Sequence, residues 1–240
     1  YTLTTLCAPT TALWLDDVET HATTTNSTIE NCWSSSPSGT TASFRWNIDG
    51  VGSTPTASTG PSGAHSGNNY FYVESSSGST GDEAFLSLPL IDASALTTPM
   101  LEYYYHMYGA NTGDLYVEMF DGTNWIKIDS IKGERQTSDT DLWLKQQVIL
   151  SGAVSDTLQM RFVAVKGSGG LGDISIDDVS VLETPSCLEP KFLGVNNLTT
   201  SQTDFVWTEV GSATTWQLEW ALSGFTLGNG VRLNTTTNPY

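Results

Sequence analysis

The sequence predicts an all-β protein built as an antiparallel sandwich. Ser, Thr and Gly are abundant whereas Lys and Glu are sparse, a composition that suits strands and loops better than helices. Short stretches in which apolar and polar residues alternate recur along the chain, separated by turn residues, as in half-buried strands. No segment has a convincing helical period. The length of 240 residues suits one large β domain or two smaller ones.

The strand signals are short and scattered before residue 69. Residues 1–6 alternate in strand fashion and are predicted to end a preceding module. Residues 13–20 are predicted to form a strand that carries Asp16, Asp17 and Glu19. Residues 21–63 are too long for one ordinary loop, so we expect short strands and turns within them.

The strand signals become regular after residue 69. Asp121-Gly122 is a strong hairpin turn between two of these strands. The chain then reaches an acidic strand after a glycine-rich turn at residues 167–172. With the two before residue 69, about ten strands are predicted ahead of the linker; those after residue 69 are residues 70–74, 84–90, 100–108, 114–120, 125–128, 143–150, 158–165 and 172–181.

The acidic strand contains the most informative irregularity of the sequence. Ile174 and Ile176 alternate with polar residues, but the apolar positions resume one step out of phase at Val179. This phase change predicts a bulge or a bend at Asp177-Asp178. A carboxylate that turns inward there must be paired, protonated or bound to a cation. Because the chain has few cationic side chains, a metal ion is the natural candidate.

A second strand pattern follows a linker at residues 184–186. Its strands are predicted at residues 192–195, 204–209 and 215–221. Only about 54 residues follow the linker, fewer than the roughly 100 of an immunoglobulin-like sandwich, so we expect an incomplete domain. The chain shows neither a signal-peptide pattern nor an apolar run of membrane-spanning length, and it is expected to be an internal piece of a longer protein.

The charge balance excludes two classes of partner. The chain has 26 acidic residues and only 9 Lys plus Arg, for a formal net charge of −17. Such a chain lacks the Lys and Arg that neutralise nucleic-acid phosphates. An anionic membrane surface would repel it, so we expect neither nucleic-acid binding nor membrane insertion. Clusters of carboxylates do attract divalent cations.

The three cysteines are widely spaced. None forms a C-x-x-C pair, which argues against a zinc site. Cys7 and Cys32 flank the first predicted strand, and a disulfide between them is expected. Cys187 is then left over, either for a cysteine beyond residue 240 or as a free buried thiol.

Several short motifs between residues 11 and 183 belong together by their order and spacing. They are Asp17-Val18-Glu19, Cys32-Trp33, Thr59-Gly60-Pro61, His65-Ser66-Gly67, Tyr70, Tyr105–Gly109 and Gly172–Val179, of which the last two are the most specific. Together they resemble the MAM domain, an extracellular β-sandwich of the jelly-roll, concanavalin-like kind. One departure is Cys187, which begins the next module and does not clearly close a second MAM disulfide.

Residues 187–240 resemble the first half of a fibronectin type III module. Trp207 and Trp216 fall in its second and third strands, and the turn at residues 224–230 is in the style of large secreted bacterial surface proteins. The resulting organisation is the end of a preceding module at 1–10, a MAM-like sandwich at 11–183, a linker at 184–186 and a partial fibronectin-like module at 187–240.

The carboxylates of the first and last strands predict a calcium site. Calcium takes about six to eight oxygen ligands from carboxylates, carbonyls and water. If the two strands lie adjacent, Asp17, Glu19 and Asp178 come together, and MAM-like sandwiches imply a structural cation at this place. The loop residues His65, Ser66 and Asn68 complete the predicted ligand set, mainly through carbonyl oxygens. The alternative is a solvated acidic rim without an ion.

The sequence offers little support for catalysis. No Gly-x-Ser-x-Gly elbow occurs, and the Glu-x-Asp-x-x-Glu strand of concanavalin-like sugar hydrolases is missing. The expected function is therefore a non-catalytic, calcium-stabilised adhesion or interaction module outside the cell. Its partners would be a protein or glycan surface, neighbouring modules or copies of the same chain. The alternative is a carbohydrate-binding accessory module of a secreted hydrolase, which would use exposed aromatic residues such as those at 103–105 and 108.

Overall fold

The computed structural model describes residues 7–23, 29, 31–37, 44–50, 52–151, 155–226 and 228–240. The predicted strand at residues 1–6 lies outside this part of the chain. The chain divides into two compact units, Tyr1–Glu183 and Thr184–Tyr240. The described residues form strands without any α-helix, and accordingly contain no helix able to cross a membrane.

The strands agree with the sequence prediction best in the regular part of the larger unit. The predicted strand at 114–120 is confirmed with the same bounds, whereas Val231–Thr235 was missed. In chain order, the strands are β1 Thr10–Thr11, β2 Trp14–Asp16, β3 Ser34–Ser36, β4 Trp46–Gly50, β5 Asn69–Val73, β6 Glu83–Ser87, β7 Ile91–Asp92, β8 Pro99–His106, β9 Asp114–Phe120, β10 Trp125–Lys132, β11 Leu144–Ile149, β12 Thr157–Leu158, β13 Met160–Val165, β14 Ile174–Glu183, β15 Lys191–Asn196, β16 Asp204–Thr208, β17 Trp216–Trp220 and β18 Val231–Thr235.

The predicted strand at residues 13–20 is wrong beyond Asp16. The Asp16 carboxylate accepts the N–H of Val18, and Val18 has a left-handed backbone with φ of 63°. The N–H of His21 then bonds the carbonyl of Val18. A side chain that caps its own backbone in this way replaces the strand ladder by a turn, so the acidic residues after Asp16 leave the sheet.

Two large sheets form the sandwich of the larger unit. One has the order β10-β9-β13-β6-β3, and the other has the order β11-β8-β14-β5-β4 with β2 paired to β14. A small third sheet, β1-β7-β12, contains a parallel pair between β1 and β7. Tyr103 of one large sheet packs edge-on against Phe162 of the other, with ring centroids 4.9 Å apart. A continuous core of buried apolar side chains joins the two sheets.

Strand β14 changes its neighbour halfway along its length, and this change positions the candidate site. Ile174–Ile176 pairs with β5, whereas Val179–Val181 pairs with β2. The pairing with β8 shifts in register between Asp177 and Ser180, and Asp178 has φ of 46°. The predicted bulge at Asp177-Asp178 is therefore confirmed. The chain leaving β2 and the chain entering β5 meet beside this bulge.

The outer face of the six-stranded sheet is buried near the bulge, and it is polar. Register aligns Asn47, Tyr72, Ser175 and His106 in one row across four strands, and each of them is at most 4% exposed. Thr59 Oγ1 donates to the Tyr108 carbonyl at 2.9 Å, and the ring of Trp143 is centred 5.7 Å from that of His106. The segments that contain Thr59 and Trp143 therefore lie against this part of the sheet.

The smaller unit consists of two separate two-stranded sheets, β15-β16 and β17-β18. The rings of Trp207 and Trp216 lie 5.1 Å apart in a T-shaped contact. An apolar cavity of about 690 Å³ is lined by side chains of β15, β16 and β17. The backbone of Tyr240 exchanges two hydrogen bonds with that of Phe205 in β16. The assignment of the smaller unit to a fibronectin-like module stays a prediction.

Candidate functional site

The candidate site lies where β2 ends, β5 begins and β14 bulges. Three carboxylates converge on the loop of residues 65–68, which we call the 65–68 loop. These carboxylates belong to Glu19, Asp177 and Asp178, and we call them the bulge cluster. Their approach follows from the change of partner along β14, because the segments after β2 and before β5 must both pass the bulge.

Glu19 fixes the end of the 65–68 loop. Its Oε1 accepts the backbone N–H groups of Asn68 at 2.7 Å and Asn69 at 2.6 Å. The hydrogen bond from Asn69 is the main reason that the pKa of Glu19 is lowered, so this carboxylate is ionised at neutral pH. Gly67 allows the approach, because its φ is 61° and a methyl group there would overlap the Glu19 carboxylate.

Asp177 and Asp178 hold the start of the same loop. Asp177 Oδ2 accepts the backbone N–H groups of His65 at 2.9 Å and Ser66 at 3.3 Å. Asp178 Oδ1 accepts the Ser66 hydroxyl at 2.9 Å, and its Oδ2 lies 2.5 Å from His65 Nδ1. The His65 ring also stacks on Tyr104, with centroids 3.5 Å apart. The loop is therefore bonded at both ends by carboxylates.

Asp177 is a fully buried carboxylate of this cluster, with 0% of the residue exposed. Burial raises its pKa to about 8, the neighbouring charge of Asp178 adds to the rise, and backbone N–H groups oppose it. A nearby cation would favour the ionised form of this carboxylate. Asp177 is not among the predicted ligands, although the strand period places it on the same face as Ser175.

The predicted ligands are only partly brought together. Glu19, His65, Ser66, Asn68 and Asp178 all lie at the 65–68 loop, as the hydrogen bonds above show. Asp17 is exposed and its carboxylate accepts the N–H of Glu19 at 3.2 Å, a contact within its own turn. The role of Asp17 as a ligand, like that of the others, stays a prediction.

The donor set of the 65–68 loop fits calcium in its chemistry. Carboxylate, hydroxyl, amide and carbonyl oxygens all occur there, and these are the ligands that calcium prefers. Among the described residues, no three His, Cys, Asp or Glu side chains are grouped as a metal site. A calcium ion held here would therefore depend on backbone carbonyls, Ser66 and Asn68 in addition to Glu19 and Asp178. Of the three carboxylates, only Asp178 contacts the His65 imidazole, and Glu19 is bonded by uncharged backbone N–H groups.

A second acidic group lies at the end of β2, and we call it the Asp16 cluster. Asp16 Oδ2 accepts the indole N–H of Trp33 at 2.7 Å and lies 3.0 Å from His21 Nε2. Burial raises the pKa of Asp16, but the hydrogen bond and charge of His21, with the bonds from Trp33 and Val18, outweigh burial and lower it. The rings of Trp33 and Phe71 lie 4.9 Å apart, which anchors this cluster on the core.

The predicted disulfide between Cys7 and Cys32 is confirmed, with Cα atoms 5.8 Å apart. It ties the segment before β1 to the residue preceding Trp33 of the Asp16 cluster. Cys187 is free and exposed, so the expectation of a buried free thiol is wrong.

The family of the chain follows from comparison with known domains. The model of the family described as MAM domain, meprin/A5/mu, matches residues 30–188. The chain belongs to the MAM family. With the two-sheet architecture above, this membership confirms the predicted all-β, jelly-roll sandwich of concanavalin-like type. The matched residues include the 65–68 loop and both aspartates of the bulge.

Curated relatives match the MAM part of the chain. Thyroid hormone-induced protein B of Xenopus laevis is 36% identical over 131 residues, which is 53% of this chain and 18% of that protein. MAM domain-containing glycosylphosphatidylinositol anchor protein 1 of Rattus norvegicus is 34% identical over 113 residues, which is 47% of this chain and 11% of that protein. The chain thus spans a small part of the length of either relative.

A solved structure supports the fold alone. The K2 cleaved adhesin domain of Lys-gingipain aligns with a TM-score of 0.50 at 15% sequence identity. The alignment covers 71% of this chain and 98% of that domain. The sandwich is therefore shared between proteins with little sequence in common, and its function must be argued from the surface of this chain.

Proposed function

We propose that this chain is a non-catalytic extracellular interaction module whose MAM sandwich is stabilised by calcium at the 65–68 loop. The observation that carries the proposal is the bulge cluster, in which three carboxylates bond one loop and only Asp178 contacts an imidazole. Calcium would hold the end of β2, the 65–68 loop and the bulge of β14 together. Its role would be structural, since nothing in the cluster resembles a positioned nucleophile and base.

The extracellular location rests on family membership and on a disulfide. A disulfide such as Cys7–Cys32 persists in oxidising compartments and is rare in reducing ones. The relative named as a glycosylphosphatidylinositol anchor protein points in the same direction. The larger multidomain protein and the bacterial surface context are part of this proposal too.

Carbohydrate binding is the weaker alternative. A stacking surface for sugars needs exposed aromatic rings in one plane. Within the predicted aromatic row, Tyr103 is 0% and Tyr105 is 8% exposed, and Tyr104 is covered by the ring of His65. These three tyrosines therefore do not form an open platform.

Thermal unfolding with calcium and with excess chelator tests the proposal. An ion that binds only the native state, at one hundred times its Kd, stabilises by about 2.7 kcal/mol. We expect calcium to raise the unfolding temperature by several degrees, and Asp178→Ala to abolish this rise. An unfolding temperature of wild-type protein that is the same in calcium and in chelator would mean that the bulge cluster is a solvated acidic rim without a bound ion.

Two matched variants separate the predicted ligands. Glu19→Gln keeps an oxygen for the N–H groups of Asn68 and Asn69 but loses the charge, so its cost should be small without calcium and larger with it. Asp17→Asn removes the same charge from an exposed position, and we expect the calcium response to stay unchanged. A calcium titration followed by calorimetry measures both. A lost response in Asp17→Asn alone would move the site to the exposed side of the turn.

Binding of the intact module to surfaces tests the interaction role. Beads coated with the protein should bind cells or aggregate with one another in calcium, and bind less in chelator. Strong binding to neutral polysaccharide without any protein partner would favour the alternative.

A further inference from the structure

A cleft of about 420 Å³ lies between residues 62–65 and residues 139–143. Two hydrogen bonds cross-link its walls. The N–H of Ser62 bonds the carbonyl of Asp139 at 2.8 Å, and the indole N–H of Trp143 bonds the carbonyl of Gly63 at 3.2 Å. The cleft is thus a built feature of the fold, because its two walls are fixed to each other.

The lining of the cleft is acidic and aromatic. Asp139 and Asp141 contribute carboxylates, His65 and Trp143 contribute rings, and no Lys or Arg lines it. The backbone N–H of Thr137 is the main cause that lowers the pKa of Asp141, so this side chain is ionised at neutral pH. Carboxylates beside an aromatic wall are the surroundings in which a cation is attracted by both charge and ring.

A buried histidine lies behind this wall. His106 is 0% exposed, and its ring is centred 5.7 Å from that of Trp143. Burial lowers its pKa to about 4, although a hydrogen bond with the backbone of Asp141 and then the charges of Asp141 and Asp139 oppose this. The imidazole is therefore neutral at pH 7 and places no positive charge behind the acidic wall.

We propose that this cleft binds a lysine or arginine side chain of a partner protein. The ammonium or guanidinium group pairs with Asp139 and Asp141, and its alkyl stem packs along Trp143. The volume exceeds what one side chain fills, which leaves room for the backbone that carries it. This proposal builds on the interaction role by naming the chemistry of the partner, and it does not depend on calcium.

Short capped peptides test the cleft directly. Acetyl-Gly-Lys-Gly-amide and acetyl-Gly-Arg-Gly-amide are titrated into ¹⁵N-labelled full chain in constant calcium, with acetyl-Gly-Gln-Gly-amide as the neutral control. We expect the basic peptides to shift the indole signal of Trp143 and the amides of residues 62–65 and 139–143 in a saturable manner. The neutral peptide should leave them in place.

A matched pair of charge variants decides whether the carboxylates cause the binding. Asp139→Asn should weaken peptide binding by about two- to fivefold, as expected for one exposed ion pair. Glu83→Gln removes the same charge from an exposed strand position outside the cleft, and binding should be unchanged.

Three results would overturn the proposal. These are no shift with either basic peptide, equal binding by wild type and Asp139→Asn, and shifts of the same signals by neutral galactose but not by the peptides. The last result would assign the cleft to a glycan. Failure of the peptide titration with intact surface binding would remove only the cleft assignment and leave the proposed interaction role standing.

Discussion

The Asp16 cluster and the bulge cluster start from the same end of β2 but satisfy their charges differently. Asp16 has one carboxylate with three kinds of donor from the chain itself, the N–H of Val18, the indole of Trp33 and the ring of His21. The bulge cluster has three carboxylates, whose donors are backbone N–H groups, the Ser66 hydroxyl and the His65 ring.

This difference separates a structural carboxylate from a candidate ligand. The donors around Asp16 lower its pKa despite burial. In the bulge cluster, burial and the charge of Asp178 raise the pKa of Asp177 to about 8. Backbone N–H groups orient a carboxylate but carry no net charge to neutralise it. The two clusters are thus told apart by their donors, and the proposed cation belongs to the second.

The largest expected effect on stability comes from a substitution in the Asp16 cluster. Asp16→Ala removes the acceptor for buried donors of His21 and Trp33, so we expect a loss of about 4 kcal/mol in the free energy of unfolding. Urea unfolding in chelator and in calcium measures the loss, which should be equal in both. Asp16→Asn keeps an oxygen and should lose about 1 kcal/mol. A loss that appears only in calcium would contradict the comparison, because it would make Asp16 part of the metal site.

A third buried carboxylate, Asp173, is expected to lower stability where Asp16 raises it, and its substitution should have a smaller effect than Asp16→Ala. Burial raises its pKa to about 6, although its Oδ1 accepts the N–H of Ser75 at 2.8 Å. Because the unfolded chain releases this proton near its ordinary value of 3.8, the stability falls as the pH rises from about 4 to 6. Asp173→Asn should remove this fall and gain up to about 3 kcal/mol above pH 6.

Asp16 provides the control for this pH profile. Its folded-state pKa is lowered, so its contribution is present above its unfolded value and is lost as the pH falls through the lower one. Asp16→Asn should therefore flatten the acid side of the profile, whereas Asp173→Asn flattens the range from about 4 to 6. Urea unfolding across these pH values measures both. Identical profiles for wild type and Asp173→Asn would show that this carboxylate is not desolvated.

The sequence located the bulge, and the resemblance to MAM domains placed Glu19 and the 65–68 loop beside it, but neither predicted which donor bonds each carboxylate. The phase change around Asp177-Asp178 is local, because strand period is visible within a few residues. One donor of Asp16, the indole of Trp33, lies 17 residues away. The N–H groups of His65 and Ser66 that bond Asp177 lie more than 110 positions away. Such pairs depend on which strands become neighbours, which period alone does not determine. The end of β2 was missed for a related reason, since the side chain of Asp16 caps the turn.

The smallest predicted effect comes from a substitution that disturbs only the bulge cluster. Gly67→Ala places a methyl group against the Glu19 carboxylate at a residue with φ of 61°. We expect a loss of about 1 to 2 kcal/mol from the left-handed backbone, because an L side chain is disfavoured there. The variant should also respond less to calcium, because Glu19 must shift.

Gly63→Ala is the matched control, since a methyl group there meets nothing within 4 Å. Urea unfolding with and without calcium distinguishes the two variants. Equal stability and equal calcium response in both would mean that the close approach of Glu19 to the loop does not matter for the site.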